Sequence, residues 1–383
     1  MRIMLVNPYN YAHDPGELFY HGRHSTWARG LLELGHEVTI LTTREGQGEV
    51  IREKTESGLE VIALPRSSFP FLSNCTQYWK DAIHCDVVHF VNSYPQMGSV
   101  FIITSLLKIC RRPVMIEDAT DPWFAASKKA TLYALFSSKV PDFFTPISEE
   151  LRKLYSRFGA PLHKSAVVPN AADTERIRSL EIERARDELR IDKDIFLLGF
   201  EWGSFATPLY DTFLFLFHSL REIIDKYPAT TLALIGKFSA YRNMIVELAK
   251  QFDLNNIVFS GPCGSRELSY WLCSCDVLLL PQGNNLFERT RFPNRFLDYL
   301  AAGRPIIVTS SSVTAPIVIE KGCGLVARTN DPKDFATKVV QLLTHEDLRH
   351  KMSVKARSLA LNEFSCGSVA RRLEGVYRRV LQR

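Results

Sequence analysis

Three arginines and an aspartate crowd into one short stretch of the chain, Arg289, Arg291, Arg295 and Asp298, just after the apolar run Val277–Leu280. The residue types read in order as buried strand, long polar loop, helix closed by Gly303, and a second buried strand at Ile306-Ile307-Val308. A helix that starts from such a loop presents free N–H groups and the positive end of its dipole, which makes an anion site suited to phosphate. Further upstream, Val114-Met115-Ile116 runs into Glu117, Asp118 and Asp121, so a second apolar strand ends in carboxylates. Asp118 or Asp121 there could orient a hydroxyl or take its proton. Asp121 precedes Pro122 and could instead cap the following helix. Cys273 and Cys275 are too close for a zinc-ribbon pair and adjoin an apolar run, so core packing is expected of them. His89, inside the apolar strand Val87–Phe90, reads as a core residue.

Groups placed this way need parallel strands behind them. Short β-branched or apolar runs alternate with helical patterns at Ile3–Val6, Val38–Thr42, Val61–Leu64, Val87–Phe90, Val114–Ile116 and Phe143–Pro146. A second series runs through Ile195–Phe200, Leu232–Ile235, Ile257–Ser260, Val277–Leu280, Ile306–Val308 and Leu325–Ala327. Such alternation marks βαβ units and parallel sheets. The length of 383 residues exceeds what one core organises at roughly 100 to 200 residues per domain. The expectation is an α/β chain of two Rossmann-like, doubly wound domains facing an interdomain cleft. The hydrophobicity falls over Thr174–Arg190, which sets the boundaries at 1–191 and 192–365, with 366–383 a final helix returning to the first domain. Gly35 after the first helix suits the left-handed turn that closes it. The loop Tyr9–Arg23 then lies at the C-terminal edge of the first sheet, where open α/β domains bind ligands.

Bulk properties exclude several classes. The apolar run after Met1 is too short for a signal-peptide core, and no stretch approaches the roughly 20 apolar residues that span a bilayer. Eight scattered cysteines without a secretion signal argue for free thiols in a reducing compartment rather than a disulfide framework. A net charge of +5 makes no case for nucleic-acid binding. Basic residues gather toward the end, among them Arg371, Arg372, Arg378 and Arg379, while Leu373, Val376 and Val380 keep helical spacing. A solvated helix face explains them, and attraction to an anionic membrane is the sharper alternative.

An ordered set of motifs spans nearly the whole chain: Leu34-Gly35-His36-Glu37-Val38-Thr39, Val167-Val168-Pro169-Asn170-Ala171-Ala172-Asp173, Phe259-Ser260-Gly261, the stretch from Asp276 to Val308, and Gly322-Cys323-Gly324-Leu325-Val326. Their order and spacing resemble the GT-B glycosyltransferases, and within them the retaining group-4 type. The resemblance implies transfer of a hexose-like unit from a nucleoside diphosphate sugar to an acceptor hydroxyl, with retention, without an essential metal and with no cofactor besides that substrate. In that family two carboxylates eight residues apart flank the donor, and the second accepts from the ribose hydroxyls. Asp298 matches the second, while the first position holds Thr290, with Glu288 close by. The family's Arg and Lys after the first strand of the donor domain are missing: Trp202-Gly203-Ser204-Phe205 continues without a basic residue until Arg221. Arg289, Arg291, Arg295 and Lys237 are the available substitutes for neutralising a diphosphate, and Gly203, Ser204, Cys263 and Asn294 complete the expected donor side.

The Asp-x-x-Asp-Pro-Trp run from Asp118 to Trp123 resembles a family variant that replaces a histidine, which makes Asp118 or Asp121 the expected catalytic base. Gly22, Arg23 and Asn92 are the expected acceptor-side residues. The acceptor is expected to be a saccharide, a lipid-linked or another small molecule, and no nucleic acid. The location is expected to be cytoplasmic, with peripheral contact at the inner face of the membrane as an option supported by the basic and aromatic stretch Ser127–Phe136. Two rivals stand beside this reading. One is a different GT-B enzyme such as a nucleotide-sugar epimerase; the other is an inactive nucleotide-sugar-binding protein.

Overall fold

The computed structural model describes residues 1–10, 22–44, 49–65, 75–91, 113–122, 139–202 and 209–382. The chain forms two compact units, Met1–Ala171 joined by Cys366–Arg383, and Ala172–Ser365. In the first, β1 (Arg2–Asn10), β2 (Glu37–Arg44), β3 (Ile51–Lys54), β4 (Glu60–Pro65), β5 (Val87–Phe90), β6 (Val114–Ala119) and β7 (Phe143–Pro146) form one sheet in the order β3-β4-β2-β1-β5-β6-β7. All neighbours are parallel except β3 against β4. Helices α1 (Arg23–Glu33), α2 (Cys75–Ala82) and α3 (Glu149–Ser156) accompany it.

Coverage on both faces explains why the Ile3–Val6 run of β1 is apolar at every position. Ile3 and Leu5 enter one buried cluster with Trp27 and Leu31, and Met4 and Val6 enter another with Tyr78 and Phe90. A strand covered on both faces needs apolar residues on both. Strand β3 escaped the sequence reading because Ile51-Arg52-Glu53-Lys54 is mostly exposed and charged. It is an antiparallel edge strand, where charge guards against unwanted pairing.

In the second unit, β8 (Phe196–Trp202), β9 (Thr230–Gly236), β10 (Ile257–Gly261), β11 (Val277–Leu280), β12 (Ile306–Thr309) and β13 (Gly324–Ala327) form an all-parallel sheet in the order β10-β9-β8-β11-β12-β13. Its helices are α4 (Ile182–Leu189), α5 (Leu209–Ile224), α6 (Arg242–Gln251), α7 (Ser265–Ser274), α8 (Leu286–Thr290), α9 (Asn294–Ala302), α10 (Ala315–Lys321), α11 (Pro332–Thr344) and α12 (Glu346–Asn362). The strand order reverses between β8 and β11, and the C-terminal ends of those two strands are where a doubly wound sheet binds ligands.

The boundary falls at Ala171–Ala172 rather than near Asp192. The charged stretch that resembles a linker is anchored by one buried arginine. Arg186 on α4 donates to Asp276 at 2.7 Å and to the carbonyls of Ser274, Lys193 and Ile195. Low hydrophobicity hid that packing, because here a paired charge does what apolar residues do elsewhere.

The last helix, α13 (Cys366–Leu381), belongs to the first unit. Val369, Leu373, Val376, Tyr377 and Val380 lie in the same cluster as Trp27 and Leu31 of α1. Arg371, Arg372, Arg378 and Arg379 occupy its exposed side. Gly35 at φ +79°, Gly303 at φ +67° and Gly322 at φ +63° close helices in the left-handed region. Cys273 and Cys275 are buried free thiols. Among the described residues no helix is long and apolar enough to cross a membrane.

Candidate functional site

Helix α9 follows the loop after β11, and its apolar positions Phe296, Leu297, Leu300 and Ala301 are buried. That packing fixes the rotation of the helix and brings Arg295, Asp298 and Tyr299 to the end of β8. The Tyr299 hydroxyl accepts from the Glu201 backbone N–H at 2.9 Å and donates to the Leu279 carbonyl at 3.3 Å, so it joins β8 to β11 across the reversal point. Arg295 donates to the Glu201 carbonyl at 2.8 Å, and its guanidinium lies 5.3 Å from the Phe200 ring centroid and 5.6 Å from that of Trp202. Such stacking holds a cation in place while leaving N–H groups for an anion.

Asp298 is buried and accepts from Arg176 at 2.8 Å. Beside this pair, the Glu201 carboxyl is pushed up to about 8, first by burial and then by the Asp298 charge, against the opposing pull of Arg176 and Arg295. One oxygen of Glu201, Oε2, and the Nε of Arg176 are sealed from solvent without a hydrogen-bond partner among the described residues. Four charged side chains from three segments therefore meet at the C-terminal edge of the second sheet.

Sequence reasoning found Asp298 and Arg295 but missed Glu201 and Arg176. An acid at the end of the apolar run Phe196–Phe200 was a usable signal for Glu201. Arg176 gave none, because its position follows from how the segment before α4 packs.

The other expected donor residues are placed less centrally. Lys237 is exposed just after β9, whose Gly236 takes φ +118° where a side chain would meet the Trp202 carbonyl at 2.6 Å. Cys263, after β10, donates to Ser260 Oγ at 3.1 Å, and burial raises its thiol. Both follow strands on the same edge as Glu201. Arg289 is exposed, Arg291 half-buried, and Asn294 exposed at the first turn of α9. Thr290 donates its hydroxyl to the Leu286 carbonyl at 2.8 Å within its own helix. Glu288 accepts from the Gly283 N–H at 3.0 Å and from Asn285 Nδ2 at 2.7 Å, so it shapes the loop after β11. That loop borders a cavity of about 320 Å³ lined by Asp211, Gln282, Asn284, Glu288, Thr309 and Asn330. Gly203 and Ser204 lie outside the described residues. Asp192-Lys193-Asp194 has metal-motif spacing but forms an exposed turn ahead of β8, at the opposite end of the strand.

In the first unit the two acids expected as base sit in different surroundings. Asp118, with a fully buried side chain, accepts from Arg23 at 2.8 and 2.7 Å and from the Thr145 hydroxyl at 3.1 Å. Arg23 also donates to Asn170 and to the Val168 carbonyl, each at 2.6 Å, and lies 4.0 Å from the Trp27 ring centroid. Both groups are buried and paired with each other. Because Thr145 gives its proton to Asp118, His89 Nε2 donates to Thr145 at 2.9 Å and His89 Nδ1 accepts from Tyr377 at 2.8 Å. Burial drives His89 well below its ordinary value, and the imidazole is neutral. Asp121, half-buried at the end of β6, accepts from Thr120 at 3.3 Å. Gly22 is the residue before α1, its carbonyl accepting from Ser25 and Thr26. Asn92, and the stretch Ser127–Phe136, lie outside the described residues.

Two family models match the chain: Glycosyltransferase Family 4 over residues 25–176, and Glycosyl transferases group 1 over residues 200–345. A D-inositol 3-phosphate glycosyltransferase of Corynebacterium jeikeium is 27% identical over 242 residues, 60% of this chain and 55% of that protein. A putative teichuronic acid biosynthesis glycosyltransferase, TuaH of Bacillus subtilis, is 24% identical over 74% of this chain and 71% of its own length. The chain spans about half the length of the first of these relatives. The crystal structure of Anabaena Alr3699/HepE with UDP and glucose superposes with a TM-score of 0.73 at 12% identity, covering 99% of this chain and 100% of that one. The two parallel-sheet units thus have the GT-B architecture.

Proposed function

We propose that this chain, which carries the paired domains of the GT-B glycosyltransferase superfamily, moves a sugar from a nucleoside diphosphate sugar onto an acceptor hydroxyl. The observation that carries the reading is the juxtaposition of Asp298, Arg176 and Arg295 at the ends of β8 and β11, inside the stretch matched by the group 1 model. A carboxylate is the right partner for ribose, because one ionised acceptor can take two hydroxyl donors. Arg295, stacked and among the described residues not paired with an acid side chain, suits the charge that develops on a departing diphosphate. The HepE complex with UDP and glucose supports a uridine diphosphate hexose as the donor to try first. Retention and independence from metal follow from the group-4 resemblance and remain part of the proposal. On the acceptor side Asp121 is the proposed base, since Asp118 is committed to Arg23. The exposed arginines of α13 and the stretch Ser127–Phe136 support a lipid-linked acceptor at a membrane surface, with a soluble saccharide as the alternative.

The experiment is donor binding to wild type and to Asp298→Asn. Ligand linkage of roughly 2.7 kcal/mol at a hundredfold excess over the dissociation constant gives a clear thermal shift. The reading expects stabilisation by UDP-glucose or another nucleoside diphosphate sugar, with a loss of about 1.5 to 3 kcal/mol of binding in the variant. No stabilisation by any of these sugars, or unchanged affinity in folded Asp298→Asn, removes it.

A further inference from the structure

The donor reading leaves one group unexplained. A carboxylate at the end of β8 is the wrong charge for the strand end that should receive a diphosphate, and no basic residue stands between Trp202 and Arg221 to offset it. The backbone of Glu201 is held on both sides, its N–H by Tyr299 and its carbonyl by Arg295, so the residue is not free to swing away. Its Oε2 is sealed without a hydrogen bond among the described residues. An ionised carboxylate in that position is poorly hosted, because a buried charge needs hydrogen bonds on its oxygens.

Charge accounting gives this consequence. Arg176, Arg295 and Asp298 sum to one positive charge. With Glu201 ionised the cluster is neutral; with Glu201 protonated it keeps that positive charge. Each phosphorus of a nucleoside diphosphate sugar carries one ester and one anhydride bridge, which leaves one strongly acidic oxygen on each, so the donor brings two negative charges throughout the neutral range. It therefore favours the protonated form.

We propose that Glu201 is a donor-binding residue that must carry a proton for the diphosphate to be held, so that this chain takes up its donor together with a proton. The inference rests on the donor reading above and adds to it the protonation state of the site. The groups facing Glu201 are Asp298 and Arg295 of α9, Arg176 of the segment before α4, Tyr299 across the strands, and Cys263 after β10. Arginine stays charged and the buried Tyr299 stays protonated across the neutral range. The Cys263 thiol is displaced upward, away from neutrality. Asp298 accepts from Arg176 at 2.8 Å, whereas Glu201 is the carboxyl of the cluster with an oxygen that has no hydrogen bond among the described residues.

The sign is fixed by linkage. Below the raised value of Glu201 the proton is already in place and affinity is flat; above it, one proton must be acquired with the donor, and affinity falls roughly tenfold per pH unit. The test is calorimetry with UDP-glucose between pH 6 and pH 9, in buffers of different ionisation enthalpy, on wild type, Glu201→Gln and Cys263→Ser. Wild type is expected to take up a proton on binding at the alkaline end and to weaken there, and Cys263→Ser to keep the proton uptake whatever its own affinity. Glu201→Gln is expected to lose both effects and to bind more tightly than wild type at pH 9.

Binding of UDP-glucose by wild type with no proton uptake anywhere in the range overturns the proposal and leaves the donor reading standing. Loss of the effect in Cys263→Ser assigns the proton to the thiol and also overturns it. Absence of binding at every pH by folded wild type removes the donor reading, and this inference with it. Wild-type proton counting carries the test by itself if Glu201→Gln does not fold.

Discussion

Asp118 shows how a carboxylate at a strand end can be read two ways. From the sequence it is half of an acidic pair after an apolar strand; in the fold it is the acceptor in a buried chain running from Tyr377 through His89 and Thr145 to Asp118 and Arg23. Removing one partner of such a pair strands the other charge, so Asp118→Ala is expected to cost about 3 to 5 kcal/mol of stability. Asp121→Asn, at the half-buried end of β6, is expected to leave the melting temperature unchanged and to lower kcat. Chemical denaturation and transfer assays separate the two; a stable, slow Asp118→Ala would restore it as the base. Asp298 was legible because it falls where the group-4 resemblance puts the second of its two carboxylates, in the helix after an apolar strand and a polar loop. Glu201 offered only its place at the end of an apolar run, and Arg176 offered nothing, since a contact between residues far apart in sequence leaves no spacing to detect.

Elements were easier to read than contacts because each is specified locally. Gly35 and Gly303 were legible as helix ends, since the left-handed turn asks for a residue without Cβ. Other glycines carry information the sequence does not display. Gly30 lies in the middle of α1, where an added Cβ would stand 2.3 Å from the Cys366 carbonyl oxygen and 2.7 Å from the Ala370 Cβ. Gly375, in the exposed part of α13, has nothing within 4 Å of the same position. Helix propensity alone favours alanine over glycine by about 1 kcal/mol at both. Packing reverses the sign at one of them: Gly30→Ala is expected to destabilise by about 1 to 3 kcal/mol, as α13 is pushed off α1. Gly375→Ala is expected to stabilise by roughly 0.5 to 1 kcal/mol. Equal effects in urea titrations would mean that α1 and α13 do not meet at Gly30.

At the scale of the whole chain, the first unit is discontinuous: it is begun by Met1–Ala171 and finished by Cys366–Arg383, while Ala172–Ser365 is continuous. The alternation of strand and helix patterns was enough to show two sheets, but the linker was misplaced because a charged segment anchored by Arg186 resembles a solvated one. The discontinuity makes the contributions of the two units separable by one truncation. Ending the chain at Ser365 removes Val369, Leu373, Val376, Tyr377 and Val380 from the cluster they share with Trp27 and Leu31, and leaves His89 Nδ1 without its hydroxyl donor. The first unit must then expose the apolar face of α1 and keep a buried nitrogen unpaired, each a recognised source of large destabilisation. The second unit loses none of its own strands, and the cluster of Arg176, Glu201, Arg295 and Asp298 is untouched. The truncated chain is therefore expected to lose protease resistance within Met1–Ala171 and to lose transfer, yet to bind UDP-glucose with near wild-type affinity by calorimetry. If donor binding disappears while Ala172–Ser365 stays folded by circular dichroism and proteolysis, then residues of the first unit are needed to hold the donor, and the assignment of that task to the second sheet alone is wrong.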